Sequence, residues 1–511
     1  YTPDTILPRG ETVFLKSTAN LSTGGTAEDI TELVHPCNVS LFERIARNMD
    51  LDICGIDIMA PDLVTPIAEN GGAVIEVNAA PGFRMHLEPT TGKARNVAAP
   101  LIDMLFPYGD NGRIPIIAVT GTNGKTTTTR LIAQIASQSG FTTGFTTTDG
   151  IYLDKQRIYK GDCSGPASAQ VVLKDKATEF AVLECARGGI LRSGLAFDKC
   201  DCAVVTNVAE DHLGLGGIHT LQELARVKGV VPQTVSEAGW AVLNADDDLV
   251  YAMRENVRGK VALFSLHENN PRITAHCEGG GIAAYPSEGY IVLREHNHIR
   301  PIDELENIPI TYGGKAAFNV LNVLGAVLAA YVTRLAMPAI RSTLRNFQNS
   351  PELTPGRLNF FHFDNFTLLL DYAHNTHGVK AIGGLIKSLP ASKKIGVITA
   401  VGDRRNEDII ALGEAAAPLF DELVIRHDDD LRGRTPFELR ALLEQGIHKS
   451  SPDKKIVYSN SETDAIDKAI ELAIPESLVI FLVDNVDGVS KKIAELKEKG
   501  IRKFEGLSIA I

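Results

Sequence analysis

The stretch VTGTNGKTT at residues 119–127 has the residue types and spacing to hold a phosphate chain. Its apolar lead-in predicts a strand, Gly121 to Gly124 a loop, and the segment after Lys125 a helix. Such a junction points backbone N–H groups and the positive end of a helix dipole at an anion. Gly121 and Gly124 allow the backbone to approach closely. Lys125 is placed to reach the outer phosphates and Thr126 to hold Mg2+. A general phosphate loop carries a further glycine five positions before Gly124, where this chain has Val119.

Transfer of a phosphoryl group from a nucleotide held there would build charge on that group, which calls for a metal ion. Glu184 ends the apolar run AVLE, and His212 follows another apolar run in TNVAEDHLG. Both fall where parallel strands present their ends to ligands. Nearer the start, LDICGIDIMA and AVIEVNAAPG predict a strand pair that brings Asp57, Glu76 and Asn78 to one face. These are hard oxygen donors suited to Mg2+. Lys228 carries no such signal: spacing alone puts it on a helix surface.

The tight Gly-Thr-x-Gly-Lys-Thr loop resembles that of the Mur ligases and folylpolyglutamate synthases. Further matches follow in the family's order. Asn319 and Asn322, in GGKAAFNVLNVLGA, match positions that contact adenine. Arg357, in Pro355-Gly356-Arg357, matches a linker arginine that reaches phosphate. Asp371 opens DYAHN and is expected on the ribose, with His374 on the substrate side. Gly402-Asp403-Arg404-Arg405 matches a conserved-pattern turn. The resemblance implies ATP as cosubstrate, contacted by Gly121, Thr122, Asn123, Gly124, Lys125, Thr126, Thr127, Asn319, Asn322, Arg357 and Asp371. It also implies Mg2+ held by Thr126, Glu184, His212 and a carbamylated Lys228. Lys125, Glu184, His212 and Lys228 form the expected catalytic set.

The segment LSTGGTAEDITELVHP, the Asp57, Glu76 and Asn78 trio, and Ala186-Arg187-Gly188-Gly189 after the acidic residue resemble the cyanophycin synthetase family. That family joins the end of an ATP-grasp domain to a Mur-type module. The implied chemistry is two amide ligations: arginine onto an aspartate side chain by the Mur-type part, and aspartate onto the backbone by the ATP-grasp part. The ATP-grasp portion is expected to be incomplete, since the sequence opens at Tyr1 without Met. Asp428, Asp429, Asp430 and Arg432 fall in the segment that selects the incoming amino acid in Mur ligases. Paired carboxylates suit a guanidinium there. The rival readings are a peptidoglycan or folylpolyglutamate ligase, a nucleotide-binding module without catalysis, and an ATP-grasp remnant used only as a surface.

These residues need an α/β scaffold. Apolar runs at 114–120, 180–186 and 202–208 predict a parallel sheet buried on both faces. Gly- and Pro-rich breaks near 107–115 and 349–357 predict three domains: 1–107, an ATP-grasp ending; 108–352, a P-loop domain; and 353–511, a Rossmann-like domain. At 511 residues, 44% hydrophobic and 22% charged, the chain has ample material for such cores. The net charge of −12 argues against a nucleic-acid partner, and no apolar run is long enough for a membrane span. Seven cysteines without paired CxxC spacing read as reduced thiols in a cytoplasmic protein. A homo-oligomer acting on arginine, aspartate and a cyanophycin or aspartyl primer completes the expectation.

Overall fold

The computed structural model describes residues 1–2, 4–13, 20–426, 431–482 and 486–498. The chain forms two compact units, Tyr1–Arg113 and Ile114–Ile511.

In the first unit the strands Gly55–Met59 and Ala73–Asn78 pair antiparallel, with Asp57 opposite Glu76 and Gly55 opposite Asn78. The helix Pro36–Asn48 begins with proline at its first turn, and the His35 ring accepts from the Cys37 N–H. Asn38 ties this helix to the neighbouring loop. Its amide donates to the Leu63 and Thr65 carbonyls at 3.0 and 2.8 Å and accepts from the Ile67 N–H at 2.9 Å. Asn38 and Ile67 are the only fully buried residues among those described in this unit. Its core is small for its length.

The second unit carries two sheets. In the larger one, of eleven strands, Ile116–Thr120 runs parallel to Phe180–Glu184 on one side and Cys200–Val205 on the other. Every residue of Ile116–Thr120 and of Phe180–Glu184 is buried, as expected of strands covered on both faces. The chain leaves Ile116–Thr120 toward Thr143–Thr147 but leaves Cys200–Val205 in the opposite direction, toward Val235–Asn244. This change of direction opens a crevice at the strand ends. The sheet edges are antiparallel hairpins: Gly150–Leu153 with Gln156–Lys160, and Tyr290–Glu295 with His298–Glu304.

One face is covered by the helices Lys125–Gln138 and Ala317–Val332, which pack against each other. The second is almost wholly buried from Asn319 to Ala330, which its nearly unbroken apolar sequence requires. The smaller sheet has six strands in the order Asn359–His362, Phe366–Asp371, Ser477–Leu482, Lys394–Ile398, Glu422–Arg426 and Lys455–Ser459. All its pairings are parallel except the first. Asp371 stands at the C-terminal end of its strand, again at the edge where ligands bind.

Candidate active site

Gly121 and Gly124 adopt φ angles of 142° and 88°. A Cβ at Gly121 would lie 1.9 Å from Thr206 Oγ1, and one at Gly124 2.1 Å from Asn322 Oδ1. Only glycine fits either place. Gly124 precedes the helix Lys125–Gln138 with no side-chain cap, which leaves first-turn N–H groups to an anion. Lys125 folds back over the loop, its Nζ donating to the Thr122 carbonyl at 3.0 Å.

Thr126 Oγ1 donates to Glu184 Oε2 at 2.9 Å, and the Thr148 N–H donates to the same oxygen at 3.3 Å. The other oxygen, Glu184 Oε1, is buried without a hydrogen-bond partner. Burial raises the Glu184 pKa, opposed by the nearby Lys125 charge. A buried carboxylate with a spare oxygen, beside a hydroxyl and a phosphate-loop lysine, fits a hard divalent cation.

Lys228 departs from the surface position that spacing suggests. It lies on the helix Leu221–Gln233, which a Thr220–Glu223 capping box starts. That helix packs against the strand leading into the phosphate loop. Lys228 is 3% exposed, and its Nζ donates to the Gly121 carbonyl at 2.7 Å. Burial, helped by the Lys125 charge, lowers its pKa to about 7. Much of it is therefore the neutral amine, the form that can take up CO2.

His212 is held in the left-handed region, φ 55°. Its Nδ1 accepts from Arg404 Nη1 at 2.6 Å, and Arg404 Nη2 pairs with Asp211 at 2.8 Å. Burial lowers the His212 pKa to about 4, so the ring is neutral near neutral pH. His374 donates from Nδ1 to the Tyr372 carbonyl at 2.9 Å, which leaves Nε2 as its acceptor, 4.0 Å from Asp211. Asp211, His212 and His374 offer ligand atoms within 4.8 Å of one another. His212 thus clusters with Asp211 and His374, whereas Glu184 and Lys228 adjoin the phosphate loop. All five line one cleft of about 1230 Å³.

Neither Asn319 nor Asn322 caps its helix, which Ala316 precedes. Asn319 donates to the Ile310 carbonyl at 2.8 Å and accepts from Asn322 at 3.0 Å. Across the cleft, Arg357 lies over the Tyr372 ring at 4.4 Å. Asp371 accepts from the Leu358 and Ala373 N–H groups, both at 2.9 Å. Arg432 pairs with Asp403 and lines the same cleft. Asp428, Asp429 and Asp430 lie outside the described residues. In the first unit Asp57 and Glu76 are exposed, and Asn78 Nδ2 donates to Asp57 at 3.4 Å.

Asp211, Thr148, Asn207 and His377 also line this cleft and are not among the residues expected from the sequence. Asp211 and His377 are near neighbours of His212 and His374, which was the available signal. Thr148 follows an ordinary strand and carried none.

A phosphate loop at a sheet crevice, faced by a second α/β sheet, defines a class. The Mur ligase middle domain matches residues 119–330, and the Mur ligase glutamate ligase domain matches residues 356–482. The chain thus carries both of these Mur ligase domains. It is 48% identical over 499 residues to cyanophycin synthetase of a Synechocystis species, covering 98% of this chain and 57% of that protein. Identity to the cyanophycin synthetase of Geminocystis herdmanii is 49% over 485 residues, covering 95% and 55%. The chain therefore spans little more than half the length of these relatives. The solved structure of E. coli FolC in complex with ADP shares the fold, with TM-score 0.57 and 17% identity over 76% of this chain and 91% of that one. No helix among the described residues is long and apolar enough to cross a membrane.

Proposed function

We propose that this chain ligates arginine to the side-chain carboxylate of an aspartyl residue in a cyanophycin-type polymer. The carboxylate oxygen attacks the γ-phosphorus of ATP, giving an acyl phosphate and ADP. The arginine α-amine, having lost its proton, then attacks the acyl carbon, and the amide forms as phosphate leaves. Mg2+ held at Thr126 and Glu184, with His212 and a carbamylated Lys228 as further ligands, would neutralise charge on the transferred phosphoryl group.

The observation that carries this reading is the buried Glu184, with one oxygen unpartnered, facing Thr126 at the phosphate loop. Near-half identity to cyanophycin synthetases over almost the whole chain supports the substrate assignment. We divide the chain into 1–107, 108–352 and 353–511, and assign the first part to an ATP-grasp ending. Asp57, Glu76 and Asn78 would there serve the aspartate-adding step.

The test is ADP release by the purified chain with Mg2+, ATP and a primer that ends in an aspartyl residue with a free side-chain carboxylate. Release should depend on arginine, and Lys125→Ala should abolish it while leaving the circular dichroism spectrum intact, because Lys125 faces the cleft. Turnover with a glutamate or peptidoglycan-precursor substrate instead would favour another Mur-type ligase. Nucleotide binding without turnover in any mixture would leave a binding module.

A further inference from the structure

Asn123, the third residue of the phosphate loop, is held at its two ends by different parts of the second unit. Its N–H donates to Asn207 Oδ1 at 3.0 Å, and its carbonyl accepts from Thr206 Oγ1 at 2.7 Å and Asn207 Nδ2 at 3.0 Å. Thr206 and Asn207 follow directly on the strand Cys200–Val205. The backbone of Asn123 is thus fixed to the larger sheet.

The side chain turns the other way. Asn123 Nδ2 donates to Asn375 Oδ1 at 3.2 Å and lies 2.9 Å from His377 Nδ1. Asn375 Nδ2 donates back to Asn123 Oδ1 at 3.2 Å. A carboxamide has two N–H donors, and both are used here by residues that follow a strand of the smaller sheet. The platform is rigid. Asn375 is 6% exposed, and its Oδ1 also caps the helix Thr376–Ser388 by accepting from the Gly378 N–H at 2.7 Å. His377 accepts at Nδ1 only as the neutral ring, and partial desolvation lowers its pKa in that direction although the residue keeps solvent exposure.

We infer that Asn123 is a positioning residue whose side chain docks Asn375 and His377 onto the phosphate loop instead of contacting nucleotide. The placement of the smaller sheet is thereby transmitted to the N–H groups that would bind phosphate. On this reading Asn123, expected among the residues that contact ATP, acts through the loop that it positions. The kinetic consequence rests on the ligase reading above, but the docking contact does not.

The experiment compares the full chain with Asn123→Ala, His377→Ala, the double variant and His377→Asn, whose Oδ1 can stand where Nδ1 stood. At saturating ATP, each alanine variant should lower arginine-dependent kcat about tenfold, with Mg2+–AMPPNP affinity within about threefold of the parent. The double variant should be no worse than Asn123→Ala, which already removes the contact to His377. His377→Asn should recover most of the loss. Hydrogen exchange should quicken at both 121–128 and 373–380 in either alanine variant, and this readout needs no turnover.

About a tenfold loss of AMPPNP affinity in Asn123→Ala, with exchange at 373–380 unchanged, would make Asn123 a nucleotide ligand and overturn the inference. Additive losses in the double variant, or no recovery in His377→Asn, would overturn it as well. If the parent chain shows no arginine-dependent turnover, the ligase reading fails, and the exchange result still decides the docking contact.

Discussion

Thr126 Oγ1 stands 2.9 Å from Glu184 Oε2, joining the first turn of the phosphate-loop helix to the end of the neighbouring parallel strand. The carboxylate is buried, and its other oxygen has no hydrogen-bond partner. Without a metal ion this arrangement costs stability whenever Glu184 is ionised.

Burial raises the folded-state pKa of Glu184 above its unfolded value. A carboxyl shifted this way favours the fold while protonated and loses that contribution as pH rises through the folded pKa. Mg2+ should therefore raise the melting temperature more at pH 8 than at pH 5.5. Glu184→Gln should remove most of this pH-dependent Mg2+ effect and lower turnover about a hundredfold. An equal Mg2+ shift at both pH values would exclude Glu184 as a ligand.

Lys228 leads to an opposite slope. Its folded pKa, lowered to about 7, lies below the unfolded value. The unfolded chain then binds more protons between those two values, so this group's contribution to stability increases with pH across that window. Lys228→Met should flatten the slope measured by urea denaturation. Carbon-13 bicarbonate added to the native chain should give a carbamate resonance that Lys228→Met lacks.

Arg404 occupies His212 Nδ1 at 2.6 Å and pairs with Asp211. If His212 binds metal through that nitrogen, the guanidinium must first withdraw. Arg404→Ala should then tighten Mn2+ binding about threefold or more by electron paramagnetic resonance titration, because a competing state is removed. Unchanged Mn2+ affinity would mean that His212 does not ligate through Nδ1.

Asp428, Asp429 and Asp430 are assigned to guanidinium recognition by sequence position alone. An exposed carboxylate–guanidinium pair contributes only about 0–1 kcal/mol, so selection requires them to close over arginine. Asn in place of each, singly, should raise the arginine KM more than the KM for ATP or primer. Equal changes in all three would place arginine recognition elsewhere.

The phosphate loop and the sheet that carries it are legible in the amino-acid sequence. Gly121 and Gly124 are demanded by backbone conformation, and the run at Ile116–Thr120 by burial on both faces, so both signals lie within a few residues. The position of Glu184 at a strand end was legible for the same reason. What meets across the cleft is set by long-range packing. Asn123 and Asn375 are 252 residues apart, and His212 and Arg404 are 192 apart. Lys228 became a buried amine through the packing of its helix against the phosphate-loop strand. Such contacts depend on how two sheets and their covering helices pack, and no local periodicity encodes that arrangement.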